Sequence, residues 1–229
     1  STGRPGLLMA ESPAETLPTC PLCHSPAVAF HTDKKRPYYR CSCCDLVHVP
    51  AAWHLDSQTE KAVYDQHENH VEDAGYRTFL SRLANPLLQR LPAGSRGLDF
   101  GCGPGPALAV MLREHGHEVA LYDLYYAPDL TVFEQQWDFI TATEVIEHLG
   151  QPGQELQRLW HCLKPGGLLA LMTKRVTSPQ AFNTWHYKND PTHISFFSES
   201  TFQWLAAQWR AELEIVANDV VILRKPNRR

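Results

Sequence analysis

An α/β fold carrying a small metal-stapled appendage is what this sequence predicts, and three observations predict it. Apolar runs of strand length alternate with helical stretches from Tyr64 to Lys225. The run Leu98-Asp99-Phe100-Gly101-Cys102-Gly103-Pro104-Gly105-Pro106 puts alternating glycines at the end of one such strand. Two C-x2-C pairs stand ahead of it, at Cys20/Cys23 and Cys41/Cys44. With 229 residues, 43% of them hydrophobic, the chain can bury one good core plus a small addition. No apolar stretch approaches the roughly 20 residues that span a bilayer, and a secretory pattern is missing from the N-terminus, so a cytoplasmic protein is expected.

Residues 1–18 read as a flexible leader, with Met9 as a native start behind a cloning scar; residues 19–50 read as a ribbon and 58–227 as the α/β domain. In the ribbon the pattern C-x2-C-x17-C-x2-C lies in the spacing window of a four-thiolate zinc site. Cys20, Cys23, Cys41 and Cys44 are the expected ligands; Cys43 and His24 compete, and spacing favours Cys44. Four thiolates leave no open coordination position, so this zinc is structural. Cys102 and Cys162 read as packing residues. The basic clusters, Lys34-Lys35-Arg36 with Arg40 and the tail from Arg224-Lys225 to Arg228-Arg229, read as solvated loop and tail. A net charge of -4 counts against a surface that attracts phosphate backbones, leaving RNA as the lesser alternative.

Val49 to Ser57 reads as a connector. Phe79, Leu80, Leu83, Leu87 and Leu88 follow a helical period interrupted at Pro86. Helices are expected at Ala107 to His115, ending on Gly116, at Leu156 to Leu163, and at Ser198 to Trp209. Leu168 to Thr173 is a buried strand, and Ala211 to Val216 with Val220 to Leu223 form a final pair about Asn218-Asp219.

The glycine loop sharpens the chemistry. Glycines let the backbone turn out of a strand and let a ligand approach the main chain. The dinucleotide fingerprint wants a third glycine where Pro106 stands, and its pyrophosphate would be repelled by Asp99. S-adenosylmethionine instead carries an ammonium that Asp99 can attract. Asp123, about 20 residues on, is placed to accept ribose hydroxyls.

LDFGCGPGP resembles the cofactor loop of class I, Rossmann-like S-adenosylmethionine-dependent methyltransferases. Val119 to Asp123, Trp137 to Thr143 with Glu144-Val145-Ile146-Glu147-His148, and Leu163-Lys164-Pro165-Gly166-Gly167 fall in that family's order. The resemblance implies a seven-stranded sheet, with Asp99, Gly101, Gly103, Gly105, Asp123 and Thr143 at the cofactor. One departure stands out: only 13 residues separate Asp123 from Trp137, where relatives place a third strand and helix. The aromatics of Leu124 to Leu130 are therefore expected either at the adenine face or packed on the sheet.

Glu144, Glu147 and His148, at spacings of three and four, would share one face at a helix start. His193 follows the fifth strand, whose end borders the same crevice. This set suits Mg²⁺, Mn²⁺, Fe²⁺ or Zn²⁺, and E-x-x-E-H resembles both small-RNA 2'-O-methyltransferases and ubiquinone-type O-methyltransferases. Without a metal, His193 or His148 is the natural general base, with Glu147 beside them. His67, Asn69, Tyr76 and Arg77 would close the pocket. The expected protein is a monomeric or weakly dimeric methyltransferase acting on an oxygen or nitrogen of a small molecule; the alternatives are an RNA methyltransferase and a non-catalytic ribbon scaffold.

Overall fold

The computed structural model describes residues 17–67 and 70–227. Most of the expected leader, the Met9 start, Asn69 and the Arg228-Arg229 end of the basic tail lie outside them. The first three strands, β1 (Ala27–Thr32), β2 (Pro37–Cys41) and β3 (Val47–His48), form an antiparallel ribbon. Helix α1 (Ser57–Asp65) comes next, in a stretch that by sequence reads as connector and lead-in. Asp56 caps it by accepting from Thr59 N at 2.8 Å. No residue of α1 is buried, so it lacks the apolar stripe that would have betrayed it. Helix α2 (Ala74–Leu88) runs through Pro86 instead of stopping there, because proline falls in the last turn, where one lost ladder bond is tolerated.

The main sheet is built from β4 (Arg96–Phe100), β5 (Glu118–Tyr122), β6 (Trp137–Thr143) and β7 (Leu163–Met172), all parallel. Helices α3 (Ala107–Glu114) and α4 (Pro152–His161) connect them; α4 begins and ends earlier than expected because Pro152 opens it and Leu163 already belongs to β7. After β7 come α5 (Pro179–Asn183), the two-residue strand β8 (Ser195–Phe196), α6 (Glu199–Trp209), and the hairpin β9 (Glu212–Ala217) and β10 (Val220–Arg224). The order is β5-β4-β6-β7-β10-β9, with β10 antiparallel to β7. The sheet therefore has six strands, not seven. The short stretch after Asp123 explains the loss: it holds only a turn and a 3-10 helix at Leu130–Glu134, leaving β5 at the edge.

The ribbon is continuous with this body. Strand β8 pairs with β3, Val47 opposite Phe196 and His48 opposite Ser195, completing a four-stranded sheet. Tyr38, Val47 and Val49 pack with Phe182, Tyr187 and Phe196, while Cys20, Leu22 and Leu46 share a core with Leu156 and Phe197. Burying side chains of this size stabilises by roughly 1.5–3 kcal/mol each. The approach is close: a Cβ on Gly153 of α4 would lie 2.4 Å from the Leu22 carbonyl oxygen.

Candidate functional site

A cavity of about 930 Å³ lies at the carboxyl ends of β4, β5 and β6, the place where open α/β sheets bind ligands. The glycine loop lines one end. Gly101 and Gly103 sit at φ +77° and +66°, left-handed values that disfavour a side chain, and a Cβ on Gly101 would fall 2.4 Å from Val145. Gly105 and Thr143 also face the cavity.

Asp99 is 2% exposed, and its Oδ1 accepts from Thr141 Oγ1 at 2.9 Å. Burial pushes its carboxyl up to about 7, against the lowering effect of that bond. A cation arriving beside it would restore the charge. Asp123 ties the loop together: Oδ2 accepts from Gly103 N at 2.9 Å, and Oδ1 from Tyr125 N at 2.9 Å and Tyr126 N at 3.2 Å. Tyr125 donates to Glu60 at 2.9 Å and Tyr126 to Asp65, which holds α1 over the mouth. His67 and Tyr76 line the cavity as expected; Arg77 instead pairs with Glu114 at 2.5 Å.

The opposite end departs from the expected helical face. Glu144 has φ +54°, and the chain beyond it forms a single 3-10 turn, Ile146–His148. Glu144 lines the cavity, but Glu147 lies fully buried behind it. They meet at Tyr187, whose hydroxyl donates to Glu144 Oε2 at 2.7 Å and also contacts Glu147 Oε2. Thr173 Oγ1 adds a bond to Glu147 at 2.6 Å, while the Oε1 atom of each acid is buried without a partner. Burial, then the charge of Glu144, drives Glu147 well above the usual carboxylate range; burial also raises Glu144.

Both histidines face the cavity with rings 4.8 Å apart. His148 Nδ1 meets the Thr192 carbonyl at 3.1 Å and His193 Nδ1 the Tyr187 carbonyl at 2.7 Å. A carbonyl accepts only, so each ring carries its hydrogen on Nδ1 and keeps a lone pair on Nε2. Burial, then His193, holds His148 at about 3, and burial lowers His193 too. Asp190, which the sequence did not single out, brings Oδ2 to 3.5 Å of His193 Nε2. Burial works against its carboxylate, but Thr192 donates to Oδ1 at 2.9 and 2.6 Å and holds it below the usual range.

The four cysteines Cys20, Cys23, Cys41 and Cys44 have ligand atoms all within 4.8 Å of one another, the one such group of three or more among the described residues. Cys43 is exposed and outside it. Main-chain N–H groups of Leu22, Cys43 and Cys44 point at the sulfurs of Cys20 and Cys41 at 3.3–3.5 Å, the contacts of paired knuckles. Hydrogen bonding between them draws Cys20 down to about 5 and pushes Cys44 up. Glu144, Glu147, His148 and His193 do not come together into such a group. Arg36, expected in a solvated loop, is instead buried against Tyr38 and the chain around His193. A lone arginine in a basic run gave no sign of this.

A parallel sheet with a glycine loop at its carboxyl edge and acids and imidazoles across the crevice defines a nucleoside-binding α/β class, and the comparisons narrow it. Residues 69–218 match the model of the methyltransferase domain, so the chain belongs to that family. It is 26% identical over 165 residues to a malonyl-[acyl-carrier protein] O-methyltransferase of Enterobacter lignolyticus, covering 62% of this chain and 64% of that protein. It is 33% identical over 125 residues to a ubiquinone biosynthesis O-methyltransferase of Nitrobacter winogradskyi, covering 45% and 46%. Among solved structures, a 1,6-didemethyltoxoflavin-N1-methyltransferase of Burkholderia thailandensis aligns with a TM-score of 0.49 at 18% identity, over 88% of this chain and all of that one. The chain thus spans about half to two thirds of the length of the curated relatives it matches. No helix among the described residues is long and apolar enough to cross a membrane.

Proposed function

We propose that this protein is an S-adenosylmethionine-dependent methyltransferase acting on an oxygen of a small-molecule acceptor. The observation that carries the proposal is one cavity joining Asp99 and the glycine loop to the Nε2 face of His193. Its volume is at the upper end of the roughly 300–1,000 Å³ of ligand pockets, suiting donor and acceptor together. When bound, S-adenosylmethionine supplies a sulfonium methyl open to in-line displacement.

Asp99 takes the donor's ammonium, Gly101, Gly103 and Gly105 allow close approach of the main chain, Asp123 accepts from the ribose, and Thr143 closes the inner edge. Tyr125 and Tyr126 flank the adenine. His193 Nε2 removes the acceptor's proton, and Asp190 stabilises the imidazolium that forms. His148, held neutral, accepts a hydrogen bond and orients the acceptor. Glu147 works from behind, fixing Tyr187 and through it Glu144. Excluding water from this crevice strengthens each of these contacts.

Zinc at the four cysteines is structural. A second divalent ion at Glu144, Glu147, His148 and His193 would require Glu147 to leave Thr173 and Tyr187, whereas base catalysis by His193 needs no such rearrangement. The names of the two curated relatives favour oxygen as acceptor atom. RNA is disfavoured because the basic loop turns Arg36 inward. The expected assembly is a monomer or weak dimer.

The test is calorimetric titration with S-adenosylhomocysteine, followed by transfer of labelled methyl from S-adenosylmethionine to a panel of catechols and carboxylates, with total RNA in parallel. Binding and transfer to a small-molecule oxygen are expected. Absence of binding, or transfer to RNA alone, overturns the proposal.

A further inference from the structure

The basic loop between β1 and β2 ends inside the molecule, on the segment that carries His193. Arg36 is 7% exposed. Its Nη2 donates to the carbonyls of Lys188 at 2.8 Å, Asp190 at 3.1 Å and His193 at 2.6 Å, and Nη1 donates to Pro191 at 3.2 Å. Nε donates to the Tyr38 hydroxyl at 3.1 Å. Tyr38, which accepts from Nε, is itself held by Asp33, which accepts from the Tyr38 hydroxyl at 2.8 Å and from the Arg36 main-chain N–H at 2.9 Å, and lies 3.5 Å from Lys188 Nζ.

The carbonyls from Tyr187 to His193 show what this arrangement does. Asn189 apart, those of Lys188, Asp190, Pro191 and His193 accept from Arg36, with Lys188 also accepting from the Tyr38 hydroxyl at 3.2 Å and Asp190 from the His193 N–H at 3.0 Å; that of Tyr187 meets the His193 ring and that of Thr192 the His148 ring. Within this segment the main chain makes only the 3-10 turn His186–Asn189 and a turn from the His193 N–H to the Asp190 carbonyl, with no strand ladder or α-helix, so most of its carbonyls are met by side chains. The two carbonyls that fix the imidazole hydrogens on Nδ1 are interleaved with the four that Arg36 gathers. A planar fork with five donors can span such a set; an ammonium, a point charge on a flexible stem, cannot.

We infer that Arg36 is a positioning residue: the ribbon's loop holds the Lys188 to His193 main chain so that both histidines present an Nε2 lone pair to the cavity. This inference rests on the proposed role of His193 as base, but its test does not. Charges facing His193 besides Arg36 are Asp190 and His67, and the ring contacts His148 and Tyr187.

The experiment is ¹⁵N-histidine NMR with amide hydrogen exchange on the full chain saturated with S-adenosylhomocysteine. Wild type is expected to show Nδ1–H tautomers for His148 and His193. In Arg36→Lys and Arg36→Ala, Nε2–H forms emerge, and exchange rises about ten-fold or more at residues 187–194, including Ile194, whose N–H bonds to the Glu147 carbonyl at 2.8 Å. Affinity for S-adenosylhomocysteine stays within about two-fold, because the glycine end is untouched. Guanidinium ion added to Arg36→Ala restores the Nδ1–H signals and methylammonium does not. Wild-type tautomers in Arg36→Lys overturn the inference, as does faster exchange spread evenly over the sheet, which marks a loss of stability only. Should both variants fail to fold, Tyr38→Phe removes the hydroxyl that accepts from the guanidinium Nε and donates to the Lys188 carbonyl, and unchanged tautomers there overturn it equally. Failure to find any methyl acceptor removes the base assignment while leaving these signals readable.

Discussion

At the glycine-loop end of the cavity, the hydrogen bonds that fix Asp99 and Asp123 join residues 42 and 20 positions apart, Thr141 to Asp99 and Gly103 to Asp123. At the histidine end, the bond from Arg36 to the His193 carbonyl spans 157 positions and starts in the ribbon. The first end is assembled by adjacent parallel strands and their turns, so it forms whenever the sheet forms. The second is assembled by a segment with little backbone ladder of its own, held between the ribbon and the sheet. The two ends should therefore fail separately.

Removing the zinc proposed for the ribbon is the severest test of that separation. A hairpin of this size has too little core to stand alone, and metal binding supplies roughly 10–16 kcal/mol in comparable small zinc modules. Extraction with a chelator is expected to lower the melting temperature by about 10 °C or more in calorimetry and to raise hydrogen exchange from Lys188 to Phe196. Metal analysis should return one zinc per chain, lost in Cys44→Ser and kept in Cys43→Ser. Equal loosening of the glycine loop would end the distinction between the two ends.

His193→Gln comes next in size. Removing a general base lowers the rate by typically 10²–10⁴-fold, so kcat is expected to fall in that range while affinity for S-adenosylhomocysteine stays unchanged. A parallel loss of affinity would place His193 at the donor and not at the acceptor.

Asp99→Asn acts at the other end. A charge-assisted bond is worth about 1.5–3 kcal/mol, so affinity for S-adenosylhomocysteine should drop about 10- to 100-fold by calorimetry. The pH dependence has a definite sign. Asp99 is raised from 3.8 to about 7 in the folded protein, so the stability tied to its neutral form is present below 3.8 and is lost as pH rises to about 7. The ligand-free protein should lose melting temperature across that window, and the ligand's ammonium should recover it. Asp99→Asn should flatten the ligand-free profile.

The same division governs what could be read from the sequence. The glycine loop, Asp99, Asp123, the cysteine pairs and the final hairpin were legible because each depends on local spacing and on one alternating pattern. The missing third strand was visible only as a short interval after Asp123. Helix α1 was hidden by its lack of an apolar face. The expected helical face at Glu144, Glu147 and His148 gave way because Glu144 adopts a left-handed backbone and Glu147 turns into the core toward Thr173 and Tyr187. Arg36 and Asp190 carried no local signal beyond a basic run and a D-P-T-H turn; their meaning comes from partners or rings brought together by β3 and β8.

Asp190→Asn is the finest test, because it alters the histidine end without dismantling it. As the proposed base His193 must be neutral to accept a proton, and burial already lowers it from 6.5, with Arg36 and His67 pushing the same way and Asp190 opposing. The acidic limb of kcat/KM is therefore expected below pH 6.5 in the wild type. His148, held at about 3, adds no limb in the working range. Replacing Asp190 removes the carboxylate that favours the imidazolium, so the limb should move to still lower pH while the plateau rate falls because the base is weaker. A limb displaced toward higher pH would show that Asp190 does not act on His193 through its charge, and the histidine end would then depend on the Arg36 clamp alone.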